Sequence, residues 1–200
     1  MLNEKKKSSP LVIFFSVLLS VLLILLMCFA VFNFWVNRNC FVVEVSGDSM
    51  LNTVENGDLL YVRDEKAKRG DIVIISVKDY TFDGGYHFSG EYIIKRLIAI
   101  EGDTVQCVDG VVSIRYAGSE EFVVLKEFYI RDTTPDFNAV TVGAGEIFFL
   151  GDNRHNSYDS TEIGCLLEKD IVGVVPKWAL KIKSFTTFWE RMRTKMSVHQ

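Results

Sequence analysis

The sequence is poor in the residues that form linkers and metal sites. It has three prolines and three histidines, and it contains no proline-rich stretch, low-complexity tract or internal repeat. Its four cysteines, Cys28, Cys40, Cys107 and Cys165, lack the close spacing of metal ligands. We therefore expect no metal and no cofactor. We also expect no required disulfide, although any two of the last three cysteines are free to pair outside the cytoplasm.

Basic residues are too few for a nucleic-acid partner. The chain has 22 lysines and arginines against 26 acidic residues, a net charge of −4. Lys5, Lys6 and Lys7 precede the longest apolar stretch, so the rest of the chain is more acidic still. Proteins that bind nucleic acid carry a positive surface for the phosphates, which excludes that class as the main function.

Charge is absent altogether from residues 11–36. At about 1.5 Å per residue, a helix of this length crosses a hydrocarbon core about 30 Å thick. We predict a transmembrane anchor at residues 11–36, preceded by a cytoplasmic N-terminus at residues 1–10. Because Lys5, Lys6 and Lys7 hold their end inside, everything after the anchor is predicted to lie outside the cytoplasm, with the lipid bilayer as a partner.

Two kinds of processing compete with a permanent anchor, and both are disfavoured. A cleaved signal peptide has an apolar stretch of roughly 7 to 15 residues followed by small residues. Here the stretch is longer and leads into Phe32, Phe34 and Trp35. A lipid-modified Cys28 would follow a small residue, whereas Met27 precedes it.

The rest of the chain consists of short apolar runs separated by turns that pair glycine with an acidic residue, as in Asn56-Gly57-Asp58. Such runs predict strands, here at residues 41–45, 59–62, 71–77, 92–100, 111–115, 122–129, 146–150 and 171–175. We predict a mainly β extracytoplasmic domain at residues 37–176, made of antiparallel sheets or a partly closed barrel. Residues 106–146 should form a small β excursion within it.

Residues 177–200 form a basic and aromatic C-terminal segment. Such a segment either lies on a membrane surface, helped by anionic lipid, or forms a helix that closes the end of the sheet.

Three polar features after the anchor could carry chemistry. Ser49 lies in a loop after the first strand, although most loop serines only bond to nearby backbone. Lys95 shares a strand face with Ile93, Leu97 and Ala99, whereas Arg96 points the other way. Burial there would lower its pKa from about 10.4 and make it a base for a serine, while a position on an edge strand would let it reach water.

The third feature is the polar loop at residues 151–160, which follows an apolar run. Ser157 or Ser160 could orient the lysine amine through a hydrogen bond. His155 offers an alternative base for Ser49, which we disfavour.

Together these stretches resemble the bacterial type I signal peptidases, membrane-anchored serine-lysine proteases that remove signal peptides from exported proteins. The matching motifs are Gly47-Asp48-Ser49-Met50, Arg69-Gly70-Asp71-Ile72-Val73, Ile94-Lys95-Arg96 with Glu101-Gly102-Asp103, Gly151-Asp152-Asn153-Arg154, Asn156-Ser157 and Asp159-Ser160. The resemblance implies Ser49 as the nucleophile, Lys95 as the general base, Ser157 as the serine that orients the lysine, and Asp159 as its supporting acid.

The resemblance is to the compact Gram-positive branch, because Gly47 stands where other members carry a serine that assists the oxyanion hole. The backbone N–H of Ser49 should then be a main oxyanion donor. Met50 should line the pockets for small residues of an Ala-x-Ala signal. Two positions depart from the family: Asn52 replaces a usual proline, and His155 replaces a usual aspartate.

Two other functions stay open at this point. One is a relative with a dedicated substrate, such as a pilin. The other is a non-catalytic, membrane-anchored β-domain that binds exported peptides.

Overall fold

The computed structural model describes residues 9–82, 88 and 90–197, with side chains as far as residue 192. Lys5, Lys6 and Lys7 therefore lie outside the described residues. The chain forms two compact units, the first ending at Cys40 and the second beginning at Phe41.

Among its described residues, the first unit consists of one helix, α1 (Pro10–Asn39). Its start is fixed by the Ser9 side chain, which accepts the N–H of Val12, and by Pro10, whose missing N–H costs nothing in the first turn. The most apolar part has a mean hydropathy of 3.1, and the helix is long and apolar enough to cross a membrane. It continues three residues beyond the predicted anchor.

The second unit contains eleven strands within the part of the chain that the structure describes, and all of their pairings are antiparallel. They are β1 (Phe41–Glu44), β2 (Leu59–Val62), β3 (Ile72–Ser76), β4 (Tyr92–Ile100), β5 (Thr104–Val108), β6 (Val111–Arg115), β7 (Val123–Val124), β8 (Phe137–Thr141), β9 (Glu146–Leu150), β10 (Leu166–Leu167) and β11 (Ile171–Val175). The predicted mainly β, antiparallel fold with one N-terminal helix is confirmed.

Strand β4 lies at the centre of the main sheet, whose order is β10-β9-β4-β3-β11. Lys95 pairs with Val73 of β3, so the edge position that would have given its amine to water is excluded. The β1–β2 pair continues this layer, because Arg63 and Val174 exchange two backbone hydrogen bonds of 2.9 and 2.8 Å.

Strand β4 is buried on both faces. Ile93 and Leu97 belong to one apolar cluster, whereas Ile98 and Ala99 belong to another. The register against β9 shifts between Leu97 and Ala99, which moves Ala99 away from the face predicted for it.

A smaller sheet of order β7-β6-β5-β8 forms the excursion between β4 and β9. Strands β5 and β8 were not predicted, and only Val123 and Val124 of the predicted strand at residues 122–129 join the sheet. Cys107 is buried in β5, and all four cysteines carry free thiols.

From Ser160 onward the described residues form three α-helices, α2 (Ser160–Ile163), α3 (Lys177–Lys181) and α4 (Lys183–Ser197), and one turn of 3-10 helix (Glu168–Asp170). The C-terminal segment is therefore helical, and α4 contacts β2.

The turn after Ser49 explains the first departure from the family pattern. Asn52 adopts a φ of +83°, a left-handed conformation that asparagine tolerates and that proline, with φ fixed near −65°, does not. Backbone bonds hold the turn instead, since the N–H groups of Thr53 and Val54 both donate to the carbonyl of Met50.

Candidate active site

The structure brings Ser49 and Lys95 into direct contact. Lys95 Nζ lies 2.7 Å from Ser49 Oγ, a hydrogen-bond distance. Strand β4 presents the lysine from the middle of the main sheet, and the turn after β1 presents the serine. Two residues that are 46 positions apart thus form one polar pair.

The Lys95 side chain is almost completely enclosed, with 4% of the residue exposed. Burial lowers the pKa of its amine from 10.5 to about 8, because the ammonium form loses its hydration. The negative charges of Asp159 and Asp152 act in the opposite direction and limit the decrease. A substantial fraction of the amine is therefore neutral near neutral pH.

The loop after β9 fixes the backbone of the Ser49 turn. The N–H of Asn153 donates to the carbonyl of Ser49 at 3.0 Å, and its side-chain amide donates to the carbonyl of Asp48, also at 3.0 Å. The hydroxyl of Thr53 donates to Asp152 at 2.5 Å. Sequence reasoning gave no role to Asn153 or Thr53, although Asn153 lies within a matched motif.

Gly151 allows this close approach. A Cβ at this position would lie 2.5 Å from the carbonyl oxygen of Ser49 and would overlap the side chain of Ser157. Any other residue would therefore separate the loop from the Ser49 turn.

Asp159 organises the same loop. One carboxylate oxygen accepts the N–H of Gly151 at 2.9 Å, and the other accepts the N–H and the hydroxyl of Thr161 at 3.2 and 2.9 Å, which caps α2. Asp159 thus fixes the backbone beside Ser49 and also places a negative charge near Lys95.

The two serines that could orient the lysine differ in their partners. Ser160 Oγ accepts the N–H of Phe149 at 2.9 Å and so serves the backbone of β9. Ser157 lines the same groove as Ser49 and Lys95. Its Oγ is buried and has no hydrogen-bond partner among the described residues, so a bond from Ser157 to Lys95 is not observed.

On the opposite face of β4, Arg96 neutralises a buried carboxylate. It forms a bidentate ion pair with Asp152, with distances of 2.7 and 2.5 Å, and also donates to the carbonyl of Gly70 at 2.7 Å. Its guanidinium carbon lies 3.7 Å from the centre of the Tyr129 ring. This geometry satisfies the buried carboxylate that accepts the Thr53 hydroxyl.

A second buried ion pair joins the excursion between β4 and β9 to the loop after β9. Arg154 pairs with Glu127, donates to Thr134, and donates to the carbonyl of Gly151 at 3.0 Å. The hydroxyl of Tyr129 donates to Glu127 at 2.6 Å, and burial raises the pKa of that phenol. No local sequence pattern pointed to Glu127 or Tyr129, because they lie in the excursion and outside every matched motif.

Ser49 and Lys95 open into a groove of about 640 Å³. Apolar side chains from β1, β3 and β4 line it, together with His155, Asn156, Ser157 and Tyr158. Met50 is not among the lining residues. It is 1% exposed and packs in a core cluster, and its role as a pocket residue stays a prediction.

His155 is exposed at the groove, whereas Lys95 holds the hydroxyl of Ser49. The two buried ion pairs form without the residue at position 155, so the second departure from the family pattern leaves that network intact.

Gly47 gives the turn a conformation that side chains rarely adopt. Its φ is +92°, and its N–H donates to the side chain of Asn56 at 3.1 Å.

Comparison with known proteins shows which family this chain is similar to. Residues 14–178 match the family described as signal peptidase, peptidase S26. A probable signal peptidase I-1 from Synechocystis is 37% identical over 143 residues, which cover 66% of this chain and 69% of the relative. Signal peptidase I P from Bacillus subtilis subsp. natto is 28% identical over 86% of this chain and 90% of its own length.

A crystal structure of a signal peptidase I from Enterococcus faecalis V583 aligns with a TM-score of 0.44 and 27% identity. The alignment covers 56% of this chain and 98% of that one.

The burial of Lys95 predicts a cost in stability that depends on pH. Replacing it in Lys95→Met should raise the free energy of unfolding at pH 7 by up to about 3 kcal/mol, because the native state no longer has to desolvate an ammonium group. The gain should be complete below about pH 8. It should disappear as the pH rises to 10.5, where the lysine of the unfolded wild type also loses its proton.

Denaturant unfolding of the detergent-solubilised protein at several pH values measures this difference. Lys66→Met is the matched control, because Lys66 is exposed and its removal should leave no such pH-dependent gain. A Lys95→Met protein less stable than wild type at pH 7 would contradict the desolvation cost.

Proposed function

Because the chain belongs to the signal peptidase family, peptidase S26, we propose that Ser49 and Lys95 are its catalytic dyad. The protein is a serine endopeptidase that removes signal peptides from exported proteins, and α1 associates it with a membrane. The observation that carries the proposed dyad is the 2.7 Å contact between Ser49 Oγ and a buried lysine amine.

In the first step, neutral Lys95 accepts the hydroxyl proton of Ser49 while Oγ attacks the carbonyl carbon of the scissile bond. The same short contact serves a neutral amine as acceptor and an ammonium as donor. The resulting ammonium then protonates the leaving amine, and the new N-terminus departs. In the second step, neutral Lys95 accepts a proton from the water that attacks the acyl carbon. Its ammonium then protonates the departing Oγ, which restores Ser49 and neutral Lys95.

Negative charge develops on the substrate carbonyl oxygen during both attacks. We assign its stabilisation to the backbone N–H of Ser49, in the turn that Gly47 opens and Asn153 holds. Because this donor belongs to a turn with a fixed backbone, it needs no rearrangement when the charge appears.

The groove suits an extended peptide. Strand β1 lies at the edge of its sheet and contributes Val43 and Glu44 to the groove wall, and Val45 directly after it lines the groove as well. A peptide added along this edge would direct alternate side chains to the same face. Ile74, Ile93 and Ile94 would then bound shallow apolar sites for the small residues of an Ala-x-Ala signal.

The proposed base predicts how activity depends on pH. Ser49→Ala and Lys95→Ala should each abolish cleavage of a preprotein, and the double variant should be no worse, because the two groups act as a unit. In the wild type, kcat/KM should rise with pH around a midpoint of about 8, where the amine becomes neutral, and then level off.

His155→Ala is the matched control, since His155 lines the same groove without contacting the pair. It should leave the midpoint of the pH profile unchanged. Cleavage by Lys95→Ala, or a midpoint that moves when His155 is replaced, would assign the base to the histidine.

We further propose that Ser157 holds the Lys95 amine once Ser49 is acylated and can no longer bond to it. This proposal is supported by the buried Ser157 hydroxyl, which has no hydrogen-bond partner among the described residues and lies in the groove that Lys95 also lines. Ser157→Ala should lower kcat by about 10- to 100-fold, the equivalent of one hydrogen bond to a charged group. Stability should stay equal or rise, because an unsatisfied buried hydroxyl is removed.

Ser160→Ala provides the contrast. It should lower the melting temperature, because the buried N–H of Phe149 loses its acceptor, without the same loss of kcat in the protein that remains folded. A wild-type kcat in Ser157→Ala would refute the positioning role.

We also propose that the N-terminus is cytoplasmic and the β unit extracytoplasmic, on the basis of Lys5, Lys6 and Lys7 before α1 against Arg38 near its end. Protease added to intact spheroplasts should digest the β unit, whereas inside-out vesicles should protect it. The opposite pattern would overturn this orientation and the access of the site to exported proteins.

A further inference from the structure

Helix α4 presents polar side chains to the β unit. Lys183 pairs with Asp58 at 2.8 Å, the hydroxyl of Thr187 accepts the N–H of Leu59 at 2.9 Å, and Arg191 donates to the carbonyl of Gly57 at 3.1 Å. Thr186 and Glu190 are buried on the same side. The contacts that attach this helix to the sheet are thus largely polar.

The opposite side of α4 is apolar and exposed. Phe185, Phe188 and Met192 are 53%, 62% and 43% exposed, and the ring of Trp189 stacks on Phe185 with centroids 6.2 Å apart. These four residues, the α4 stripe, recur at intervals of three and four and therefore share one face.

This arrangement is the reverse of the usual amphipathic helix, whose apolar face is buried in the core. The α4 stripe contributes little to folding, because its side chains remain in contact with solvent. Contiguous aromatic side chains left exposed in this way indicate a surface that another apolar phase covers.

The charge around the stripe indicates which phase this is. From residue 177 to 197 the only acidic residue is Glu190, whereas the whole chain carries a net charge of −4. The basic residues of this segment are Lys177, Lys181, Lys183, Arg191, Arg193 and Lys195. Aromatic side chains flanked by lysine and arginine are the composition of helices that lie in the interface of an anionic bilayer.

The chain already carries its own link to a bilayer. Helix α1 ends at Asn39, β1 begins at Phe41, and α4 lies against β2, the strand that pairs with β1. A tether this short keeps the β unit at a high local concentration near the lipid surface, so even a weak contact is populated.

We propose that the α4 stripe is a second membrane contact, which inserts Phe185, Phe188, Trp189 and Met192 among the headgroups of an anionic bilayer. A second copy of the chain is a poorer occupant, because two stripes face to face would bring their basic flanks together. The contact is independent of the catalytic dyad, so cleavage of a soluble peptide does not require it.

The test uses the full-length protein reconstituted in vesicles that contain brominated lipids, which quench tryptophan fluorescence on contact. The difference between wild type and Trp189→Phe isolates the signal of Trp189 from those of Trp35 and Trp178. We expect strong quenching of this signal in phosphatidylglycerol vesicles and clearly weaker quenching in phosphatidylcholine vesicles.

The double variant Phe185→Ser, Met192→Ser should lose most of the quenching, with its melting temperature and its cleavage of a soluble peptide unchanged. Phe128→Ser is the matched control, since Phe128 is 92% exposed and lies outside α4. Lys181→Glu should weaken the quenching only in the anionic vesicles.

Three results would overturn the proposal: no quenching of Trp189, equal quenching in the two lipids, or equal quenching in the double variant and the wild type. A wild type that dimerises in detergent while the double variant is monomeric would instead assign the stripe to a second copy.

Discussion

The structure depends on the burial of one amine at the centre of its main sheet. A lysine at this depth is tolerated only if its charge is weakly favoured, and burial accordingly lowers the pKa of Lys95 to about 8. The two carboxylates near it, Asp159 and Asp152, keep that pKa from decreasing further. Their own buried charges are satisfied by other partners, backbone and hydroxyl donors for Asp159 and Arg96 for Asp152. The burial that lowers this pKa, and so makes the amine available as the proposed base, also lowers the stability of the folded protein.

Besides a neutral amine, the proposed mechanism requires a nucleophile held next to that amine. The loop after β9 does this through backbone atoms, with Asn153 bonded to the carbonyls of Asp48 and Ser49. The loop is itself fixed by the buried ion pair between Arg154 and Glu127. Since Glu127 belongs to the excursion between β4 and β9, that excursion is part of the scaffold of the site. A segment without any matched motif thereby contributes to the position of Ser49.

The sequence predicted the strands whose own residues form a clear apolar pattern. The nine residues of β4 were predicted in full, and so was the contact of Lys95 with a serine, although the latter came from the family resemblance. Strands β5 and β8 were not predicted because polar residues, Gln106 in β5 and Asn138 in β8, interrupt the apolar runs that indicate a strand. The predicted strand at residues 122–129 shrinks to two residues because Glu127 and Tyr129 leave the sheet to satisfy buried arginines. Such pairings join residues far apart in the chain, and no local periodicity encodes them. The packing of Met50 is likewise not encoded locally, since its neighbour Ser49 faces the groove while Met50 itself packs in a core cluster.

Lys95 and the α4 stripe both depart from the rule that apolar side chains are buried and polar ones exposed. At Lys95 a charged residue is enclosed among apolar strands, and at α4 an apolar stripe is exposed while Thr186 and Glu190 are buried. Neither reversal lowers the free energy of the folded unit, so each requires a reason outside folding. For Lys95 the proposed role as a base near neutral pH supplies that reason. For α4 the solvent itself differs, because a bilayer interface accepts aromatic side chains and basic groups together, as water and a protein core do not. In water, the apolar face of α4 lies on the exposed side. If the bilayer interface covers that face and the β unit covers the other, α4 has the usual amphipathic arrangement.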